Sequence, residues 1–475
     1  MAEESLKKRT AKGIFWSSVE RFSVQGVYFV VTLIIARVLD PKDYGLVGML
    51  TVFISVAQSF VDSGFTQALI RKKDRTEFDN STVFFFNIVV STIFYCILYG
   101  IAPWVSDFYK EPELCNLMRV LCLIVVINGF AVVQKAIFIA SIDFKTQAKA
   151  SFVAVLASGI LGVWMAYNGY GVWTLVWQQL LNAGINTLLL WVYSNWHPKW
   201  QYSWQSFRDL FSFGSKLMAS GLLNTVFANL YLLVIGKVFS ASSLGYYSQA
   251  DRFTQIPSSN ITNILQRVTY PVLCTIQENN DKLRENYRKL LRLSAFIIFP
   301  LMCMLAGVAH PLVELLLGEK WRYVANLIIP LSLTMMWWPI HAINLNLLQV
   351  KGRSDLFLKL EIIKKVIYVV VLFLSVPFGL MFMCYTEIVT SLICLVINTY
   401  YTGKLIHVGF LMQMKDLSGT FILSMIMFGI VFVICSMINN LYLQLLLGLF
   451  IGGLFFLSAI YVLKFDELKY IKTIL

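Results

Sequence analysis

The chain has 475 residues, of which 58% are hydrophobic and 14% charged, whereas a soluble globular protein carries about 25% charge. With a mean hydropathy of +0.70, these figures exclude a disordered chain, a collagen-like repeat and a soluble globular enzyme, and leave an all-α polytopic membrane protein. The formal net charge is +13, and its distribution along the chain is more informative than its size.

A hydrocarbon core about 30 Å thick takes roughly 20 apolar residues of helix. Runs of that kind predict fourteen spans. The first seven cover 13–36, 44–66, 81–102, 114–140, 150–167, 171–193 and 210–235. The second seven cover 244–276, 293–317, 323–349, 360–378, 381–403, 417–437 and 440–463. The segment before the first run has no small-residue cleavage site, and that run is too long for a signal peptide, so it is expected to stay in the mature protein. The eighth run holds Pro257 and Pro271 and exceeds one straight span, so it should kink or run on into the cytoplasm. The alternation of an outer-membrane barrel is missing. The eight cysteines lie in or near apolar runs without CxxC spacing, which predicts no disulfide framework and no metal site. No cofactor is expected.

The loops between these runs sort by charge. With a cytoplasmic N-terminus, the cytoplasmic segments hold 25 of the 39 Lys and Arg, the external segments 6 and the spans 8. That asymmetry predicts both termini in the cytoplasm and supports an even number of spans. The acidic residues divide as 14, 6 and 6 over the same segments. Most of the basicity is therefore an orientation signal rather than a nucleic-acid signal, and a small excess stays inside the membrane.

An internal repeat appears at an offset of 200. ARVLDPKDYGLV at 36–47 stacks on GKVFSASSLGYY at 236–247, pairing Ala36 with Gly236, Arg37 with Lys237, Val38 with Val238 and Gly45 with Gly245. A weaker echo pairs 102–109 with 310–317. Spans 1–6 and 7–12 thus read as two parallel repeats, a transporter feature that places the site between halves near the midplane. The expected organisation is a lobe at 1–200, a second lobe at 201–404, and spans 13–14 with a tail at 405–475.

Polar residues at helical spacing mark faces inside these spans. Span 1 offers Ser17, Arg21, Gln25 and Tyr28, with Glu20 beside Arg21; span 2 offers Gly48, Thr51, Ser55, Gln58 and Asp62. Span 7 carries Lys216, Ser220, Asn224 and Tyr231, and span 8 carries Ser248, Arg252, Gln255, Ser259, Thr262 and Gln266, with Arg267 beside them. Span 10 adds Trp337, His341 and Asn344, and span 12 adds Glu387, Ser391, Cys394, Asn398 and Tyr401. Such groups either satisfy one another between packed helices or line a cavity. Packing suits the Ser, Thr and Asn positions, and His341 reads as a packed core histidine. A cavity suits Arg21 and Arg252, since burying a guanidinium without a partner is costly. Arg267 and Lys216 can snorkel, and Lys364 and Lys365 are expected to pair locally with Glu361. A cavity richer in Arg than in carboxylate suits phosphate, which the guanidinium fork binds through paired hydrogen bonds, while Asn, Gln and aromatic rings suit sugars.

The stretches KGIFWSSVERF (12–22), ARVLDPKDYGLVGM (36–49), FVDSGFTQALIRKK (60–73), LFSFGSKLMASGLLN (210–224), GKVFSASSLGYYSQADRF (236–253), LLGEKW (316–321) and GRSDLFLKLEI (352–362) resemble the bacterial polysaccharide flippases of the multidrug/oligosaccharidyl-lipid/polysaccharide exporter (MOP) superfamily, in particular exporters of colanic-acid and teichuronic-acid type. The resemblance runs from about residue 10 to about 405. It implies two six-helix bundles in a V shape with two further helices. It also implies a monomer that moves an undecaprenyl-diphosphate-linked oligosaccharide by rocking alternating access, with H⁺ or Na⁺ as coupling ion, in a pathway with a polymerase and a chain-length regulator. Related lipid II flippases hold the diphosphate with arginines in spans 1, 2 and 8. Arg21 and Arg252 occupy comparable helices, but span 2 has no Lys or Arg, which counts against lipid II itself. The substrate-binding set is expected among Arg21, Glu20, Gln25, Gln58, Asp62, Lys216, Asn224, Arg252, Gln255, Arg267, His341 and Glu387. A multidrug/cation antiporter would need an acidic cavity, for which Glu20, Asp62 and Glu387 qualify. A polymerase would need a larger external loop than the one from Pro103 to Glu113.

Overall fold

The computed structural model describes residues 16, 23–62, 64–72, 74–465 and 467, leaving aside the side chains of 267 and 268. The first part of the chain forms α1 (Ser23–Val38), α2 (Pro41–Asp62), α3 (Phe65–Arg71), α4 (Glu77–Tyr109), α5 (Glu113–Leu121), α6 (Leu123–Ala140), α7 (Phe144–Tyr167), α8 (Trp173–Tyr193), α9 (Trp204–Ala228) and α10 (Leu230–Val238). There follow α11 (Ala241–Thr275), α12 (Asn280–Gly307), α13 (Ala309–Leu317), α14 (Arg322–Met335), α15 (Trp338–Val350), α16 (Ser354–Ser375), α17 (Leu380–Ile406), α18 (Phe410–Met437) and α19 (Leu441–Leu463). No strand occurs among the described residues, as expected where lipid cannot satisfy an open sheet edge.

Among the described residues, ten helical stretches are long and apolar enough to cross a membrane. The first apolar run is described only over α1, and among the described residues each of the other thirteen falls on one helix or on a consecutive pair. The runs on α1, α8, α11 and α16 are not among those ten. The chain is an all-α, multi-pass membrane protein, with large apolar side chains such as Trp104, Ile160, Val192 and Phe450 on its outer faces. α11 continues through Pro257 and Pro271 as one 35-residue helix. At 1.5 Å per residue it is about 52 Å long, so it outruns the hydrocarbon core.

Local signals place the helix starts. Thr76 and Asp79 form a capping box at α4, and the buried Asp79 carboxylate also accepts from Lys72 Nζ at 2.8 Å. Ser203, Asn279 and Asn440 cap α9, α12 and α19 with their side-chain oxygens. The repeat is visible in the helix boundaries: α1 and α10 end at Val38 and Val238, and α2 and α11 begin at Pro41 and Ala241.

The chain divides into two compact units, Met1–Gly245 and Tyr246–Leu475. This division follows packing, whereas the lobes read from the sequence follow the repeat. In the first unit, Phe65, Leu69, Phe84 and Val133 build a core where α3, α4 and α6 meet. In the second, Tyr287, Phe299, Met302, Trp337 and Ile343 form the centre of a larger core that includes α18 and α19.

α18 is tied to the rest of the second unit by polar as well as apolar contacts. Asp416, with its side chain 1% exposed, accepts two hydrogen bonds from Arg288 and one from Arg292, each 2.6 Å. A buried network joins four helices. The Gln413 amide nitrogen donates to Asn344 Oδ1 at 3.0 Å, Thr402 Oγ1 at 3.2 Å and Tyr287 Oη at 3.3 Å. Asn344 returns a bond to Gln413 Oε1 at 3.1 Å.

Candidate substrate cavity

Within the second unit, α11, α14, α15, α16 and α17 line an open cavity of about 670 Å³, inside the range of about 300–1,000 Å³ for small-molecule sites. Met335, Trp338, Leu345 and Phe357 supply an apolar side. Ser259, Thr262, Asn263 and Gln266 on α11, with Glu361, Lys364 and Lys365 on α16, supply a polar one. The period-3/4 polar stripe of α11 is what turns Ser259, Thr262 and Gln266 to this common face.

His341 lies on the cavity wall, half-buried, between two partners on α17. Asn398 Nδ2 donates to its Nδ1 at 3.0 Å, and its Nε2 meets Ser391 Oγ at 3.0 Å. The trio braces α15 against α17.

Glu387 is 5% exposed and accepts a hydrogen bond from Tyr247 Oη at 3.1 Å. Its charge interacts with that of Asp251, and Asp251 in turn with Arg252. Two carboxylates, Asp251 of α11 and Glu387 of α17, thus lie near one another. Lys364 is ion-paired with Glu361, its side chain 15% exposed, as the three-residue spacing predicts. The pair lines the cavity.

The other predicted site residues fall as follows. Gln58 and Asp62 meet on α2, with Gln58 Nε2 donating to Asp62 Oδ1 at 3.2 Å; Asn128 Nδ2 of α6 donates to Gln58 Oε1 at 3.1 Å. Lys135 of α6 interacts electrostatically with Asp62. Lys216 and Asn224 are exposed on α9, and Gln255 is exposed on α11. Gln25 is half-buried on α1, and Arg252 is half-buried on α11. Glu20 and Arg21 lie outside the described residues, as does the side chain of Arg267. Sequence reasoning passed over Asp251, Lys135 and Arg119, although all three are ionisable residues inside apolar runs, the signal that should have marked them. The Arg119 guanidinium lies 4.7 Å from the centre of the Tyr99 ring, a cation–π contact that offsets part of its burial.

Residues 34–326 match the family model described as polysaccharide biosynthesis protein. The chain belongs to the polysaccharide biosynthesis protein family. Within that family it is 27% identical over 355 residues to the teichuronic acid biosynthesis protein TuaB of Bacillus subtilis, covering 74% of this chain and 73% of that one. It is 25% identical over 367 residues to the lipopolysaccharide biosynthesis protein WzxC of Escherichia coli, covering 77% and 75%. Among solved structures, the lipid II flippase MurJ in its inward closed conformation superposes with a TM-score of 0.75 over 94% of this chain and 98% of that one, at 15% identity. An inward-facing multidrug resistance MATE family transporter of the MOP superfamily gives 0.64 over 83% and 98%, at 16% identity. This polysaccharide biosynthesis protein thus has the MOP transporter fold.

Proposed function

We propose that the protein is a flippase that moves a lipid-linked oligosaccharide, carried on undecaprenyl diphosphate, across the bacterial inner membrane for O-antigen, capsule or exopolysaccharide synthesis. One observation carries this reading: a chain of the polysaccharide biosynthesis family folds over 94% of its length like a lipid II flippase. Both termini face the cytoplasm, on the strength of the Lys and Arg asymmetry. The chain works as a monomer by alternating access, driven by an H⁺ or Na⁺ gradient, and performs no covalent chemistry on its cargo. Arg21 and Arg252 hold the diphosphate through paired hydrogen bonds. Asn, Gln and aromatic side chains of the cavity meet the sugars. Span 2 has no Arg or Lys, so its contribution to the clamp passes to neutral donors such as Gln58.

The test is deletion and complementation in the source bacterium. The deletion strain should lose surface polysaccharide and accumulate a lipid-linked oligosaccharide visible by mass spectrometry, and the wild-type gene should reverse both. Normal polysaccharide in the deletion strain would overturn the reading. A second reading, a cation/drug antiporter of the same superfamily, draws on Glu387, which lines the cavity, and on Asp251, which interacts with it. It predicts drug resistance on overexpression and an unchanged glycan on deletion.

A further inference from the structure

A second cavity, of about 400 Å³, lies within the first unit where α6 ends, α7 begins and α8 ends. Ile137 and Phe138 line its apolar side. The rest is Ser141, Asp143, Tyr193, Ser194, Asn195 and Trp196. Two aromatic rings beside a carboxylate, an amide and hydroxyls form a set suited to a pyranose. The rings cover the C–H face of a sugar, and the polar groups match hydroxyls that both donate and accept.

The groups are held in place. The Asp143 carboxylate accepts from the Thr146 backbone N–H at 3.1 Å and from its hydroxyl at 2.7 Å, so both oxygens are fixed and each keeps a free lone pair. The Trp196 backbone N–H donates to Ser194 Oγ at 3.2 Å, and its ring meets Phe84 edge-on at 5.9 Å. Tyr193 is 43% exposed, and Asn195 is also exposed, leaving both available to a ligand.

The turn that carries Ser141 and Asp143 is tightly wound. Ile142, between the two lining residues Ser141 and Asp143, has φ +60°. A β-branched residue there is an outlier. It stands at the turn where α6 ends, with the Asp143 N–H donating to Phe138 O at 2.9 Å and the Ile142 N–H to Ile139 O at 3.1 Å. Helices usually close this turn with glycine.

We infer that this cavity is a docking site for a pyranose, and that it holds part of the glycan on the face read as cytoplasmic before translocation. The biological role rests on the flippase reading; the sugar binding does not. The experiment is saturation-transfer-difference NMR on the full-length protein in nanodiscs, with a panel of methyl glycosides of hexoses, N-acetylhexosamines and hexuronates. At least one glycoside should show saturable transfer, reduced about five-fold or more in Asn195→Ala and in Tyr193→Ala, two exposed positions whose truncation spares the core. No saturable transfer to any glycoside, or equal transfer in both variants, overturns the site. Complementation of the deletion strain separates the two claims. Restored polysaccharide without sugar binding removes the docking site alone, and sugar binding without a glycan phenotype removes the flippase reading alone.

Discussion

Gly45 and Gly245, two hundred residues apart, make reciprocal contacts inside the first unit. A Cβ on Gly45 would stand 1.6 Å from the carbonyl oxygen of Ala241, and a Cβ on Gly245 would stand 1.9 Å from that of Pro41. Pro41 and Ala241 are themselves equivalent under the same offset. The starts of α2 and α11 therefore cross through one repeated glycine used twice. Each glycine admits the other helix's backbone at a distance no side chain allows.

Gly45→Ala and Gly245→Ala should each destabilise the protein by about 1–3 kcal/mol, because the obstacle is backbone rather than a side chain that can turn away. Both substitutions push the same two helices apart, so the double variant should lose less than the sum. Thermal unfolding of the purified protein checks both points; additive losses would mean that the two contacts are independent.

Asp416→Ala should loosen the C-terminal pair of helices. The substitution leaves Arg288 and Arg292 without their shared acceptor, at a cost of about 1.5–3 kcal/mol for charged hydrogen bonds. The expected signs are a lower Tm and faster proteolysis between α17 and α18. An unchanged Tm would show that the apolar contacts of α12 with α18 suffice.

Ile142→Gly should raise Tm. The left-handed turn costs an L-residue about 1–2 kcal/mol, and glycine removes that strain while adding freedom to the unfolded chain, so the net gain is about 0.5–1 kcal/mol. Ile142→Ala keeps the strain and should show no such gain.

His341→Leu should cost about 1–3 kcal/mol by leaving Ser391 and Asn398 without partners in a mostly apolar setting, and His341→Gln should recover part of it. Equal stability of the two variants would remove the brace.

Much of the fold was legible because a membrane imposes period and length together. The apolar runs located the helices, and the offset of 200 aligned the helix boundaries at Val38 and Val238. The Lys364–Glu361 pair was legible because both residues stand on one helix. The rest depends on relations between helices, which spacing along one helix cannot report. Arg288 and Asp416 are 128 residues apart, Gln413 collects partners from three other helices, and Lys135 has nothing on its own helix to reveal Asp62 opposite. Asp251 was hidden by its neighbour, since the stripe through Arg252 runs about 100° away around the helix.

Arg252→Ala should abolish surface polysaccharide while the protein stays in the membrane at wild-type abundance, if the guanidinium holds the diphosphate. Arg252→Lys should restore only part of it, because an ammonium lacks the planar fork. Full export in Arg252→Ala would take this residue out of the clamp.

The central claim is translocation, and it is tested by reconstitution. Lipid-linked oligosaccharide extracted from the deletion strain is placed in sealed vesicles with the purified protein, and its access to periodate added outside is followed with time. The account predicts that the wild-type protein brings the protected inner pool of glycan out to the reagent under an imposed H⁺ or Na⁺ gradient, and that protein-free vesicles keep it protected. An inner pool that stays protected in the presence of folded protein and either gradient would contradict it.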